Sequence, residues 1–374
     1  MPEPHLTEDT AAFDAQGSDP GREELVRLAR EAVDIALSGD IKRGLALAQE
    51  ANARARASGD RRAELAALNA AARCHSLRND SISSLAAGTD AAALARILGD
   101  GVALGHALCA IANTSFTLKL LAECEPFVLR AIDEALNHGD ADLESRARQS
   151  YGVLLGDLGR FDEARTQLNA AVAAARKDGR AALLLRVESN LVNVARKEAR
   201  QHASQGDEVG LRRAGQQALA DAATLLERTR AQQLHSQDMM LTSLMSEVHA
   251  LLGDTEIGIV QAAQAMEMAS QSRQHASLPP QALRLGEMLR QRGRLGEAFD
   301  VLQRGLQAAE LLRPTFRIAE LCAALAVVEA ERGAAAAADG WRQRTLTEQV
   351  QFESGRQMAA GFLERLRREL MAGN

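Results

Sequence analysis

Apolar residues recur at three- and four-residue steps along most of the chain, as in Ala164, Leu168, Ala171, Val172 and Ala175, with charged and amide residues between them. On a helix of about 3.6 residues per turn that rhythm makes one apolar stripe, so it predicts amphipathic helices rather than strands. Glycines punctuate the rhythm. Gly59, Gly99, Gly139 and Gly179 follow one another at forty-residue steps, and the first three are followed by Asp60, Asp100 and Asp140. Gly253, Gly293 and Gly333 form a second series with the same step, to which Gly39 and Gly159 belong in the first half. Glycine takes the left-handed backbone that closes a helix, and the Asp after it caps the next one. Two interleaved series about twenty residues apart therefore mean two helices per repeat.

The spacing predicts eight helical hairpins, over residues 22–58, 61–98, 101–138, 141–178, 181–233, 236–273, 276–313 and from 316 onward. Only the fifth breaks the period. Between Gly159 and Gly253 lie 94 residues instead of eighty, and the surplus of fourteen falls around residues 201–210, where Gly206 and Asp207 mark a displaced turn. That pair is expected to have longer helices. A helix with a single apolar stripe is not stable alone, so the core must come from stacking successive hairpins.

Composition agrees with an all-α fold. Hydrophobic residues are 46% and aromatic residues only 3%, and the abundant Ala, Leu, Glu, Arg and Gln lose least on entering a helix. A sheet-based enzyme is not expected, given the scarcity of β-branched and aromatic residues. Cys74, Cys109, Cys124 and Cys322 include no C-x-x-C pair, so reduced thiols in a cytoplasmic protein are expected. A net charge of -6 gives no whole-molecule footprint for nucleic acid or an anionic membrane. Charged or amide residues interrupt every apolar run before it reaches spanning length, so a soluble protein with no membrane partner is expected. Residues 1–21, acidic and containing Pro2, Pro4 and Pro20, lack the blocks of an export signal and read as a mobile arm.

Within this frame Tyr151, Gly152, Leu155, Gly159, Arg160, Phe161, Asp162, Glu163, Ala164, Leu168 and Ala171 resemble the tetratricopeptide repeat. So do Leu285, Gly286, Leu289, Gly293, Arg294, Leu295, Gly296, Glu297, Ala298 and Leu302. Elsewhere Ala112, Ser246 and Ala326 replace the small glycine, and Gly44 and Gly258 stand at the position of the crossing alanine. The resemblance spans residues 22–345 and is to the long-repeat type of bacterial regulatory proteins. It implies a right-handed superhelical solenoid of about eight helix-turn-helix repeats in which the first helix of each pair lines the concave face. The last segment, 346–374, belongs to a long helix beginning near Trp341, on which Leu346, Val350, Met358, Phe362, Leu366 and Leu370 keep a mostly four-residue rhythm. Part of it is expected to cap the last repeat and part to project, which makes it the candidate surface for a homodimer. Its layout resembles the sensor tails of diguanylate cyclase-like signalling proteins. No GGDEF-like motif occurs, so the array is expected to act without an output domain of its own.

Catalytic and nucleotide-binding motifs are missing: there is no G-x-x-x-x-G-K-[ST], H-E-x-x-H or G-x-S-x-G. His106 and Cys109 lie three apart but lack the paired ligand blocks of a zinc site, so they read as packing. A non-enzyme without metal or cofactor is expected. Projected in register, the concave face carries Asn69 and Arg73, then His106 and Asn113, then Arg146 and Gln149, then Arg186, Ser189, Asn190, Asn193 and Arg196. Amides pair with an extended backbone, and guanidiniums with carboxylates or phosphates. These residues predict a groove for a protein or peptide partner with an acidic segment. The last three repeats place Met240, Ser243, Glu247, Leu283, Glu287, Glu320 and Val327 there, a less basic surface. The competing reading is a sensor that binds a peptide or small molecule and acts on an output partner through the C-terminal helix.

Overall fold

The computed structural model describes residues 20–37, 40–78, 80–179, 181–271, 277–311 and 316–371. Among them the chain is a run of sixteen helices and no strand. Paired in order, these are α1 (Pro20–Leu37) with α2 (Ile41–Ser58), α3 (Arg61–Leu77) with α4 (Ser81–Ile97), α5 (Gly101–Thr117) with α6 (Leu121–His138), and α7 (Ala141–Asp157) with α8 (Phe161–Asp178). There follow α9 (Ala181–Gln205) with α10 (Glu208–Ala231), α11 (His235–Leu251) with α12 (Thr255–Gln271), α13 (Leu278–Gln291) with α14 (Leu295–Glu310), and α15 (Arg317–Glu331) with α16 (Ala335–Met371). The expected arm lies outside the described residues as far as residue 19, and Pro20 already opens α1. Among the described residues no helix is long and apolar enough to cross a membrane.

The turns follow from the glycine and aspartate positions. Asp60, Asp100 and Asp140 each accept backbone N–H bonds from the first turn of the helix they open, and Asp40, Asp80 and Asp207 do the same. Lys119 stands forty residues before Gly159, in a slot of the second series that lacks glycine, and it takes φ 61. Gln233, at φ 55, ends the fifth pair in the same way. In that pair α9 has 25 residues and α10 has 24, against 18 in α8. Each is longer by about seven residues, or two turns, so the surplus is shared and the apolar stripe returns to the same side.

Pairs close tightly where the small residues fall. A Cβ added at Gly152 would lie 2.6 Å from Leu168 Cγ, and one at Gly286 would lie 2.7 Å from Leu302 Cγ. Ala164 and Ala298 are fully buried at these crossings. Where glycine replaces the crossing alanine the approach is to backbone: a Cβ at Gly44 would meet the Ala32 oxygen at 2.4 Å, and one at Gly258 the Ser246 oxygen at 2.6 Å.

Every first helix packs against the first helix of the next pair, from α1 on α3 through to α13 on α15, whereas second helices of neighbouring pairs make no comparable contact. First helices therefore line the inner side of the curve and second helices the outer side.

The helix α16 departs from this scheme. Its first half pairs with α15, and its second half crosses to α4 and α6. There Ala359, Leu363 and Leu366 are buried in one cluster with Leu94, Leu104 and Phe127, and Phe352 and Leu370 pack at its edge. The rhythm expected for this helix needs correction, because Leu346, Val350 and Met358 are 57%, 70% and 55% exposed. A strict four-residue step drifts by about 40° per step around the helix and leaves any single face. The buried positions, Ala359, Leu363 and Leu366, alternate steps of four and three and stay on one.

Candidate ligand-binding groove

All eleven groove candidates stand on first helices: Asn69 and Arg73 on α3, His106 and Asn113 on α5, Arg146 and Gln149 on α7, and Arg186, Ser189, Asn190, Asn193 and Arg196 on α9. They fall into two groups with different surroundings.

The first group spans α3, α5 and α7. Arg73 is half-buried and makes no ion pair among the described residues. Burial and then the Arg146 charge lower its guanidinium from the ordinary value, with Asp142 opposing. Arg146 is tied to Asp142 on its own helix, Nε to Oδ1, at 2.8 Å. Burial also lowers the His106 imidazole, Asp142 and Asp140 oppose this, and Arg146 and Arg73 add to it. Three helices thus bring Arg73, His106, Asp142 and Arg146 within electrostatic reach of one another. Asn113 is exposed and Gln149 half-buried on the same helix set. Cys109, three residues from His106, is buried in the core beside this group, and burial pushes its thiol up to about 12 against the Arg146 charge.

The second group is held by its own contacts. Asn190 is buried, and its Nδ2 donates to the Arg186 carbonyl at 3.0 Å. Arg196 is only 6% exposed. Its Nε and Nη2 donate to Asn193 Oδ1 at 3.1 and 2.9 Å, and its Nη1 donates to Glu247 Oε1 of α11 at 2.6 Å. Glu247 also meets the Nη2 of Arg200, from α9, and the Nε of Arg284, from α13, the latter at 3.0 Å. Burial raises the Glu247 carboxyl, and Arg196, Arg284 and Arg200 outweigh it and hold the group below the usual range. Burial lowers Arg284 to about 10; Glu247 opposes this, and Arg196, Arg200 and Arg317 add to it.

Sequence projection missed Arg200 and Arg284. Arg200 is legible as the i+4 partner of Arg196. Arg284 sits one residue from the projected position Leu283, and one residue turns a helix by about 100°. Beside it, Leu283, Gly286, Glu287 and Arg290 of α13 line a shallow cavity of about 200 Å³, closed on the far side by Ala324, Val327 and Val328 of α15.

No family model matches the chain, and no curated protein matches it in sequence. Solved structures match it in fold. The apo form of RapI is similar with a TM-score of 0.58 and 11% identity, over 78% of this chain and 99% of that one. The Rap conjugation gene regulator of the plasmid pLS20, in complex with the Phr* peptide, is similar with a TM-score of 0.58 and 12% identity, over 84% of this chain and 82% of that one. The chain has a tetratricopeptide-type helical-repeat fold. Aspartyl phosphate phosphatase F from Bacillus subtilis is similar too, with a TM-score of 0.51 and 12% identity over 91% of this chain and 86% of that one. At such identities the likeness is one of fold, and function must be argued from the site.

Proposed function

We propose that this protein is a non-enzymatic scaffold whose concave face binds an extended peptide or unstructured protein segment, with an acidic residue opposite Arg73. The observation that carries this reading is the row of amide and cationic side chains on α3, α5 and α7. There Arg73 is half-buried and without an ion pair among the described residues, and Arg146 raises the cost of its charge. A ligand carboxylate beside Arg73 would offset both effects, because hydrogen bonds from a guanidinium to a carboxylate are among the stronger ones. Exposed Asn113 offers both a donor and an acceptor to a peptide backbone. The peptide held by the Rap conjugation gene regulator, a protein of the same fold, supports the same reading.

Selection of a randomised heptapeptide library on the immobilised full chain tests it. Acidic peptides that bind the wild type and are lost with Arg73→Met and Asn113→Ala are expected; selection that yields no groove-dependent peptide overturns the reading.

A second reading, a sensor acting through its tail, is favoured by one observation. The second half of α16 packs on α4 and α6, so the tail is joined to the pairs that carry Arg73 and His106. On this reading a ligand that changes the curvature of the first repeats also changes how α16 is held, which would carry the signal to an output partner.

A further inference from the structure

Three guanidiniums converge on one carboxylate in the middle of the concave face. Arg196 and Arg200 of α9 both meet Glu247 Oε1, and Arg284 of α13 meets Oε2. With Arg317 engaged by Glu320 at 2.6 Å, three positive charges face one negative charge. We propose that Arg196, Arg200 and Arg284 form an oxyanion site that takes a dianionic phosphate monoester group beside Glu247.

The donor inventory supports it. Each guanidinium has five N–H donors in a planar fork. In the described contacts Arg200 uses only Nη2, leaving its Nε and Nη1, and Arg284 uses Nε toward Glu247 and Nη1 toward Ser243, leaving Nη2. Glu247 Oε2 is buried and accepts no hydrogen bond with good geometry, so the resident carboxylate does not saturate the site. The side chains are also held in place beforehand. Asn193 fixes Arg196, and Ser243 accepts from Arg284 while donating to buried Gln281 at 2.5 Å. Arg200 is 60% exposed, which leaves an approach from solvent.

Charge selects the ligand class. Three arginines and one carboxylate leave a surplus of two, and a phosphate monoester carries about -1.5 to -2 with three terminal oxygens, enough to reach all three forks. A single carboxylate supplies one charge and two oxygens, and Glu247 already provides that. The burial that pulls Arg284 down to about 10 and the repulsion among the arginines are both offset when a dianion enters. The same group can arrive on a small phosphorylated molecule or on a phosphorylated residue of a segment lying in the groove. The site does not depend on the peptide reading, since it uses neither Arg73 nor Asn113.

The test titrates the full chain at pH 8 and constant ionic strength with inorganic phosphate, phenyl phosphate, and a phosphoserine heptapeptide with its unphosphorylated twin. Calorimetry and the thermal midpoint are the readouts. Phosphate-bearing probes are expected to bind the wild type, with affinity reduced at least about tenfold by Arg200→Gln, an exposed position that spares the fold. Glu247→Gln removes the competing carboxylate, so phosphate should bind it more tightly than the wild type and raise its midpoint more. Guanidiniums stripped of their carboxylate attract any anion, so the wild-type titration decides between a phosphate site and a purely structural ion-pair cluster. Preference for the phosphoserine peptide over phenyl phosphate identifies a modified segment as the source, and equal binding identifies a small phosphorylated molecule. Two results overturn the proposal. One is a wild-type thermal midpoint indifferent to phosphate, whatever Glu247→Gln does. The other is equal binding of the phosphorylated and unphosphorylated peptides that Arg200→Gln leaves unchanged, and this leaves the peptide-groove reading standing.

Discussion

The Arg96 guanidinium on α4 donates a 2.6 Å hydrogen bond to the backbone carbonyl of Glu369 on α16, joining positions 273 residues apart. Beneath this bond lie Leu363 and Leu366, at 2% and 1% exposed, in a core shared with Leu94 and Phe127. Repeat arrays ordinarily gain stability only from neighbouring repeats. Here the end of the chain is tied to the second and third pairs.

Leu363→Ala should therefore destabilise the protein by about 2–4 kcal/mol, as removal of a buried leucine side chain does. Hydrogen exchange is the deciding measurement, because the loss of protection should appear in α4 and α6 as well as in α16. Loss confined to α16 would show that the tail adds nothing to the early repeats.

The glycines divide into those that permit a crossing and those that do not. Gly286→Ala would place a Cβ 2.7 Å from Leu302 Cγ, so a loss of about 1–3 kcal/mol is expected from overpacking. Gly361, in α16, has nothing within 4 Å of its missing Cβ. Gly361→Ala should instead gain about 0.5–1 kcal/mol through helix propensity, and denaturant unfolding measures both.

Gln233 carries a left-handed backbone, at φ 55, that favours glycine. Gln233→Gly should stabilise by about 1 kcal/mol in thermal unfolding. The same change at Lys119 should gain less, because its Nζ lies 5.0 Å from the Phe316 ring centroid and that cation–π contact would be lost.

His106 gives a pH dependence of known sign. Burial, assisted by Arg146 and Arg73 and opposed by Asp142 and Asp140, holds its imidazole below the ordinary 6.5. As pH falls, the unfolded chain takes up the proton near 6.5 before the folded chain does. Stability should therefore drop as pH falls through that value, and level off once the folded imidazole is itself protonated. Unfolding free energies measured across this range should lose part of their slope in His106→Gln, the remainder coming from His75, which burial also holds below its ordinary value.

Periodicity carried most of the architecture. The glycine and aspartate positions mark most of the helix boundaries, because a left-handed glycine and an Asx cap are local devices that act within one turn, whereas the turns at Lys119 and Gln233 carry neither residue and follow only from the forty-residue period. The long final helix was also legible, but what it packs on was not. A stripe such as Ala359, Leu363 and Leu366 specifies a buried face without naming its partner, and contact over 273 positions leaves no trace in a forty-residue repeat. At the groove, the assignment of first helices to the inner face put Arg73, His106 and Arg146 in register, and the structure holds these three within electrostatic reach of one another. Arg196 shows the limit. A charged residue at an inward position reads the same in sequence whether it is open to a ligand or, as here, bound to Asn193 and Glu247.

The most direct test of the central claim is isothermal titration of a library-selected acidic peptide into the full chain and into its Arg73→Met and Asn113→Ala variants. Each variant should weaken binding by at least about tenfold, or 1.4 kcal/mol, with an unchanged thermal midpoint. Equal affinity for the wild type and both variants would contradict it and place the ligand away from the face formed by α3, α5 and α7.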